Sequence, residues 1–349
     1  MKLTLKPEGL MERLGFATGK FPRLPVMSLV GPLLSQSLTV AVRLGVFDRM
    51  TDGAKNSTDL AHLTNCDPHA MEIFLEGLNS FGVLRRKGGM FSLTREARQW
   101  LTTGSGKTSA IEAIQLNSEI CSRLVHLEEY LKTGCVSNIH FESSQNWWTN
   151  YLSALKAAGQ LGASHLLRRL RLERLPKTML DIGGGPAIWS IAFCKHFEGL
   201  TSTIVELPEI AQHGLAMIAQ ADMTDRIRYI PGDFAIADFG NGYDLVLMSN
   251  VLHAMTLSQC RNVLAKAYLA LNSNGTLVIN DTYYPSSGGN IPLMSGASSL
   301  MYYVSTGSRS WPHTSIVEWL RITGFKNIQC EARRGKNLFI TASSAAHTN

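Results

Sequence analysis

The stretch Met179–Ser190, MLDIGGGPAIWS, decides how the rest of the chain is read. A short apolar run ends in Asp181, three consecutive glycines follow, and helix-forming residues then resume. This is the pattern of a buried strand entering a tight turn whose backbone passes close to a ligand, with a helix N-terminus just beyond. A second short strand, Ser202–Leu207 (STIVEL), carries an acid at its end, Glu206. A carboxylate there can accept both hydroxyls of a ribose, so the two segments together describe a nucleoside-binding α/β unit. No Walker lysine follows the glycines, which argues against a nucleotide triphosphatase.

Downstream of the glycine turn, strand and helix patterns alternate, with candidate strands at 178–182, 202–206, 227–230, 244–249, 275–281 and 337–342. Such alternation predicts a mostly parallel, doubly wound sheet whose ligands lie at the carboxyl ends of its strands. Four loops fall at those ends. They are Asp181-Ile182-Gly183-Gly184-Gly185, Glu206-Leu207-Pro208, Gly232-Asp233-Phe234 and Ser249-Asn250-Val251-Leu252-His253. In the third, an acid can accept an adenine amino proton while an aromatic ring stacks on the base.

Upstream, residues 1–24 are a weakly patterned lead, and apolar residues recur at helical spacing from Pro25 to about Phe47. Ser57–His62 and Asp67–Phe81 read as helices, the second opened by Asp67-Pro68. Val83–Lys87 and Met90–Leu93 read as a hairpin turning at Lys87-Gly88-Gly89. Helices followed by a hairpin make a winged-helix arrangement, which in many proteins binds DNA. The candidate recognition helix here, HAMEIFLEGLNSFG, carries Glu72 and Glu76 and no lysine or arginine. A groove-entering helix needs donors for phosphates and base edges, so a packing module is the better reading. Residues 108–165 look all-helical, with aromatics bunched at Phe141, Trp147, Trp148 and Tyr151, and Arg168–Arg174 alternates with leucines as an amphipathic helix would.

The 349 residues suffice for two domains. A hydrophobic content of 45% with 17% charged residues is that of a soluble, well-packed chain. The net charge of +6 permits an anionic ligand without requiring one, because lysines and arginines are scattered. Six cysteines form no CxxC pair and no metal spacing with histidine, which predicts structural thiols in a reducing cytoplasm and no metal. No run of eighteen continuous apolar residues and no cleavable leader pattern occur, so neither a membrane span nor a signal peptide is expected.

The four loops together resemble those of class I S-adenosylmethionine-dependent methyltransferases. The whole order, LGVFDRM, LNSFGVL and FSLT followed by LDIGGG, ELP, GDF and VLHAM, resembles the dimeric small-molecule O-methyltransferases of plant phenolic, hydroxyindole and bacterial natural-product metabolism. The resemblance spans about residues 30 to 342. It implies a winged-helix dimerisation domain over 1–107, a helical linker and substrate-pocket segment over 108–170, and a Rossmann-like cofactor domain over 171–349. The cofactor it implies is S-adenosylmethionine, with a small aromatic acceptor, a homodimer built through the N-terminal helices, and neither nucleic acid nor membrane as partner. It further implies that Gly183, Gly184 and Gly185 approach the methionyl end of the cofactor, with Asp181 bracing the loop. Glu206 and Leu207 would lie at the ribose, Gly232, Asp233 and Phe234 at the adenine, and Ser249 and Asn250 beside them. His253 matches the family's general base and Asp281 the acid that orients it. Trp148, Met294, Met301, Tyr302 and Trp311 fall where the family lines its acceptor pocket, with ordinary core packing as the competing account of each.

Four positions depart from the family pattern. Glu206 stands where the family often has aspartate, a change that keeps the bidentate acceptor. Ala187 stands where a glycine often follows the GGG, a place at which alanine is usually tolerated. Ala254 follows the histidine where an acid is usual, and Ser310, in GSRSWPHT, replaces a further acid. Two acids near the acceptor are thus missing. That keeps open a nitrogen or carbon acceptor, and an enzyme that binds the cofactor without transferring its methyl group, as in relatives turned to hydroxylation or pericyclic chemistry.

Overall fold

The computed structural model of the chain describes residues 5–7, 9–103, 110–139, 145–286, 288–332 and 337–345, with side chains described except at 145–147, 149, 150, 153, 154, 156–158, 160 and 161. Phe141 and the Trp147 side chain therefore lie outside the described residues. The chain divides into two compact units, one up to Ser122 and one from Arg123 onward.

In the first unit, short polar side chains set the helix starts. Asn56 accepts the Asp59 N–H at 2.7 Å ahead of helix Ser57–Thr64, and Asp67 accepts the Ala70 N–H at 2.8 Å ahead of helix Pro68–Ser80. Strands β1 (Leu84–Lys87) and β2 (Met90–Leu93) pair antiparallel. Met71, Leu75 and Leu78, on one face of helix Pro68–Ser80, pack into a core with Phe47, Leu60 and Phe91. The N-terminal lead holds a helix that the weak patterning hid, Leu10–Ala17, with no buried side chain.

Helix Arg23–Arg43 behaves differently. It buries only Thr39 and Ala41, and leaves Leu24, Leu29 and Leu33 exposed. Among the described residues it is the one helix long and apolar enough to cross a membrane by length and composition, an exception to the expectation of no such segment. Ser28, Ser35, Gln36 and Ser37 interrupt its apolar sequence, so it holds no unbroken apolar run, yet its mean hydropathy stays high.

In the second unit, β3 (Thr178–Ile182), β4 (Thr201–Glu206), β5 (Ile227–Pro231), β6 (Tyr243–Ser249), β7 (Leu271–Asp281), β8 (Lys326–Glu331) and β9 (Leu338–Ser343) form one sheet in the order β5-β4-β3-β6-β7-β9-β8. The strands from β3 to β7 are parallel, and β9 lies antiparallel between β7 and β8. The chain builds outward from β3 to β5 and then crosses back to β6 on the other side of β3. The strand order thus reverses between β3 and β6, and in open α/β sheets such a point, at the carboxyl ends of the strands, is where ligands bind. Alternate residues serve opposite faces. Leu180, Ile182, Val246 and Met248 pack towards Leu264 and Leu320, whereas Met179, Leu245 and Leu247 pack towards Phe193 and Ile218.

Three local expectations are corrected. Strand β8 was not expected, because it is an edge strand exposed along nearly its whole length and carries no alternation. Strand β7 starts at Leu271, four residues before the glycine that was read as its boundary. Arg168–Arg174 is not a helix: helix Gln145–Arg169 ends there, and the Arg171 guanidinium donates to the Arg168 and Leu170 carbonyls at 2.9 and 3.0 Å. Pro176 also favours extended backbone in the residue before it.

Candidate active site

The loop leaving β3 is held by its neighbours on both sides. Gly183 donates its N–H to the Val205 carbonyl of β4 at 2.9 Å and sits at φ 65°, where a side chain is disfavoured. A Cβ there would lie 2.8 Å from Val251 Cγ2 and 3.6 Å from the Phe234 ring. The segments following β5 and β6 thus close on the same glycine. At Gly184 the obstacle is internal: a Cβ would lie 2.7 Å from the Asp181 carboxyl carbon. Ala187 keeps a glycine-like conformation, φ 65° and ψ 12°, at the head of helix Ile188–His196. Alanine is accommodated there at a strain of about 1–2 kcal/mol.

Two buried carboxylates lie under this loop. Asp181 Oδ2 accepts the Ser190 hydroxyl at 2.7 Å, and Ser190 Oγ lies 2.8 Å from Ser202 Oγ. Asp181 Oδ1 has no hydrogen-bond partner among the described residues. Burial pushes the Asp181 carboxyl up to about 7, against the pull of Ser190. Glu206 Oε2 accepts the Gly185 N–H at 2.9 Å, and Oε1 accepts the Leu207 N–H at 2.8 Å. Burial also raises Glu206 to about 7, with the charges of Asp181 and Asp233 adding to the shift and its two backbone donors opposing it. On the far side of the loop the Tyr229 hydroxyl donates to the Gly185 carbonyl at 2.7 Å.

The loop after β5 folds back on Asp233, whose Oδ1 accepts the Ala235 N–H at 2.8 Å. Lys266 Nζ donates to the Phe234 carbonyl at 3.0 Å and lies 4.1 Å from the Phe239 ring centroid. The Gly232 N–H reaches the Glu206 carbonyl at 2.8 Å, tying this loop to the end of β4. Beyond β6, Asn280 donates to the Ser249 hydroxyl at 3.0 Å, and Asn250, at φ 58°, donates its N–H to the Asn280 carbonyl at 2.8 Å. Two glycines, Gly183 and Gly184, with no room for a Cβ, a buried carboxylate oxygen without a partner among the described residues and a carboxylate at the end of β4 suit S-adenosylmethionine, and the residues present fit it.

His253 lies on a short turn, Leu252–Ala254, after β6. Its Nδ1 is 2.7 Å from Asp281 Oδ1, with both side chains largely buried. Asp281 is itself fixed: Oδ1 accepts the Thr282 N–H at 2.7 Å and Oδ2 accepts the Leu252 N–H at 3.1 Å. With Nδ1 committed to the carboxylate, Nε2 is the nitrogen positioned to take a proton. The turn is braced from below by Trp311, whose Nε1–H reaches the Leu252 and Met255 carbonyls at 3.0 and 3.3 Å, and by Ser308, which donates to Met255 at 2.5 Å.

Of the five positions read as lining an acceptor pocket, the structure brings Tyr302 directly to His253. Their rings stack with centroids 3.7 Å apart and planes inclined by 11°. Trp311 braces the turn and packs on Trp319. Trp148 is buried edge-on to Tyr151, Met301 is half-buried on helix Leu293–Thr306, and Met294 on the same helix is exposed. Ser310, in the place of the missing acid, is buried with a hydroxyl that has no partner among the described residues. Sequence reading missed Ser190, Tyr229 and Lys266. Ser190 lies only nine residues beyond the Asp181 it bonds, within the stretch that carries the glycines, whereas Tyr229 and Lys266 act on loops from elements far along the chain, a relation no local motif encodes.

A family model of the O-methyltransferase domain matches residues 126–326, and one of the O-methyltransferase dimerisation domain matches residues 28–103. The chain is similar to the 3-hydroxy-5-methyl-1-naphthoate 3-O-methyltransferase of Streptomyces sahachiroi, 25% identical over 301 residues that cover 84% of this chain and 87% of that one. It is 26% identical over 272 residues, 72% of each chain, to the L-tyrosine C(3)-methyltransferase of Streptomyces lavendulae. In fold it is similar to human N-acetylserotonin methyltransferase, solved in complex with S-adenosylmethionine, with a TM-score of 0.80 at 20% identity over 98% of this chain and 99% of that one.

Proposed function

The chain belongs to the O-methyltransferase family, and on that premise we propose that it transfers the methyl group of S-adenosylmethionine to a hydroxyl of a small aromatic metabolite, with His253 as general base. The observation that carries this reading is the 2.7 Å contact of His253 Nδ1 with an Asp281 carboxylate pinned by two backbone N–H groups. When bound, the cofactor supplies a methyl group already electrophilic on its sulfonium. The chain must then align an acceptor and raise its nucleophilicity. A phenol of pKa about 10 is a weak nucleophile at neutral pH. His253 Nε2 takes the acceptor's proton as its oxygen attacks, and Asp281 balances the charge that forms on the ring. A positioned base of this kind contributes about 10²–10⁴-fold.

Glu206 holds the ribose, and Gly183–Gly185 with Asp181 shape the seat of the methionyl end. Asp233 and Phe234 receive the adenine, with Ser249 and Asn250 alongside. The first unit mediates a homodimer, and the exposed Leu24, Leu29 and Leu33 of helix Arg23–Arg43 supply its apolar face. The enzyme works in the reducing cytoplasm. In a second reading the acceptor atom is the carbon beside a phenol, with His253 removing the hydroxyl proton; the C-methylating relative from Streptomyces lavendulae favours it.

Methyl transfer from S-adenosylmethionine to a panel of phenols, naphthols and hydroxyindoles tests the reading. A methoxy product, with turnover cut at least 10²-fold in His253→Ala, is expected. A methyl group on carbon selects the second reading. Turnover undiminished in His253→Ala removes the general base.

A further inference from the structure

We infer that Tyr302 is a positioning residue for His253, holding the imidazole in its plane and presenting a ring face to the imidazolium formed when His253 accepts a proton. The inference rests on the general-base reading above, and adds the device by which this chain orients that base without the acids absent at positions 254 and 310.

Four residues close a ring of contacts. His253 Nδ1 meets Asp281 Oδ1 at 2.7 Å, and the same oxygen accepts the Thr282 N–H at 2.7 Å. Thr282 Oγ1 is 2.9 Å from the Tyr302 hydroxyl, and the Tyr302 ring returns to His253 at a centroid distance of 3.7 Å. The Asp281 contact fixes one edge of the imidazole but leaves the ring free to rock about the Nδ1–Oδ1 direction. A near-parallel ring at this separation removes that freedom. The Thr282 contact in turn fixes the tilt of the Tyr302 ring, so Thr282 acts on both members of the stack.

Electrostatics point the same way. The face of an aromatic ring is negative and attracts a cation over it, most strongly where water is excluded. The His253 side chain is only 13% exposed, so the ring face acts at close range with little screening. Several groups face this site among the described residues, including Arg309, whose guanidinium lies 5.9 Å from the centre of the Trp311 ring that braces the His253 turn. Asp281 comes from the end of β7, the Cys260 thiol from helix Leu257–Ala270 donates to the Leu252 and Met255 carbonyls, and Tyr151 lies on the side of Tyr302 and Glu206. Burial pushes the Tyr302 phenol far above its ordinary value, with the Asp281 charge adding to the shift, so it stays neutral through the working range.

The experiment is a pH titration of full-length protein carrying isotopically labelled histidine, followed by NMR in the wild type, Tyr302→Phe and Tyr302→Leu, with kcat and KM measured in parallel. His253→Ala assigns the resonance. Tyr302→Phe keeps the face and is expected to leave the His253 pKa within a few tenths of a unit. Tyr302→Leu removes the face and is expected to lower that pKa by about one unit and kcat by about tenfold, with KM changed less. The upfield ring-current displacement of the His253 resonance is expected in Tyr302→Phe and lost in Tyr302→Leu. An unchanged His253 pKa and resonance position in Tyr302→Leu overturns the inference while leaving the general base intact. Full turnover in His253→Ala overturns the general base, and the titration then still reports whether the stack exists.

Discussion

The Tyr229 hydroxyl donates to the Gly185 carbonyl at 2.7 Å, so a side chain on β5 holds the loop that leaves β3. The same peptide segment is gripped through the Gly185 N–H by Glu206, at the end of the strand between them. This arrangement depends on Gly214. A Cβ at 214 would lie 1.8 Å from the Tyr229 oxygen, so the glycine makes room for the phenol to reach across.

Tyr229→Phe is expected to weaken S-adenosylmethionine binding about five- to tenfold, the worth of one hydrogen bond of about 1 kcal/mol. Gly214→Ala must move the whole ring, and is expected to cost both cofactor affinity and stability. Calorimetric titration and thermal melting of the two variants check this. Affinity equal to wild type in both would show that Gly185 needs no anchor from β5.

Asp181 and Glu206 make cofactor binding and stability respond to pH in opposite directions. Both carboxyls are pushed up to about 7 by burial, above the range near 4 that they occupy in an unfolded chain. The folded free enzyme therefore holds more protons than the unfolded chain between these values. Its stability from these groups is full below about 4 and is lost as pH rises towards about 7. Thermal melting of the free enzyme is expected to show this contribution as a higher midpoint at pH 6 than at pH 8. Binding to the ribose and to a cationic sulfonium favours the ionised carboxylates. Cofactor affinity is therefore expected to fall below pH 7, by up to about tenfold per unit for one group. Glu206→Gln should flatten that dependence and lower affinity at pH 8.

Ser310 gives a test on stability alone. Its hydroxyl is buried with no partner among the described residues, a condition that costs about 1–3 kcal/mol. Ser310→Ala is expected to raise the melting temperature by a few degrees and leave cofactor affinity unchanged. A lower midpoint would mean that the hydroxyl has a partner after all. Ser310→Glu is expected to destabilise, since it places a larger, charged group at a fully buried position.

Much of the fold was legible in the sequence because local chemistry encodes it. The run into Asp181-Ile182-Gly183, the acid at Glu206 and the alternation beyond them mark parallel strands and their carboxyl ends, since strand period and turn glycines are properties of neighbouring residues. Asp67 and the Lys87-Gly88-Gly89 turn mark element ends in the first unit for the same reason. His253 and Asp281 were paired by resemblance, and their contact is seen at 2.7 Å. The edge strand Lys326–Glu331 left no such trace, because a strand with both faces wet has no hydrophobic period to read.

Relations between distant segments were settled only by tertiary structure. Tyr229 beside Gly185, Lys266 against Phe234, and Tyr302 stacked on His253 join residues 44, 32 and 49 positions apart. No residue type or spacing announces them, since each exists only when two elements pack at one angle and depth. The pushed-up carboxyls of Asp181 and Glu206 belong to the same class, because desolvation follows from what the completed fold lays over them. The sequence alone determined which residues stand at the strand ends; packing decided which of them touch, which are buried, and which nitrogen of His253 is turned towards Asp281.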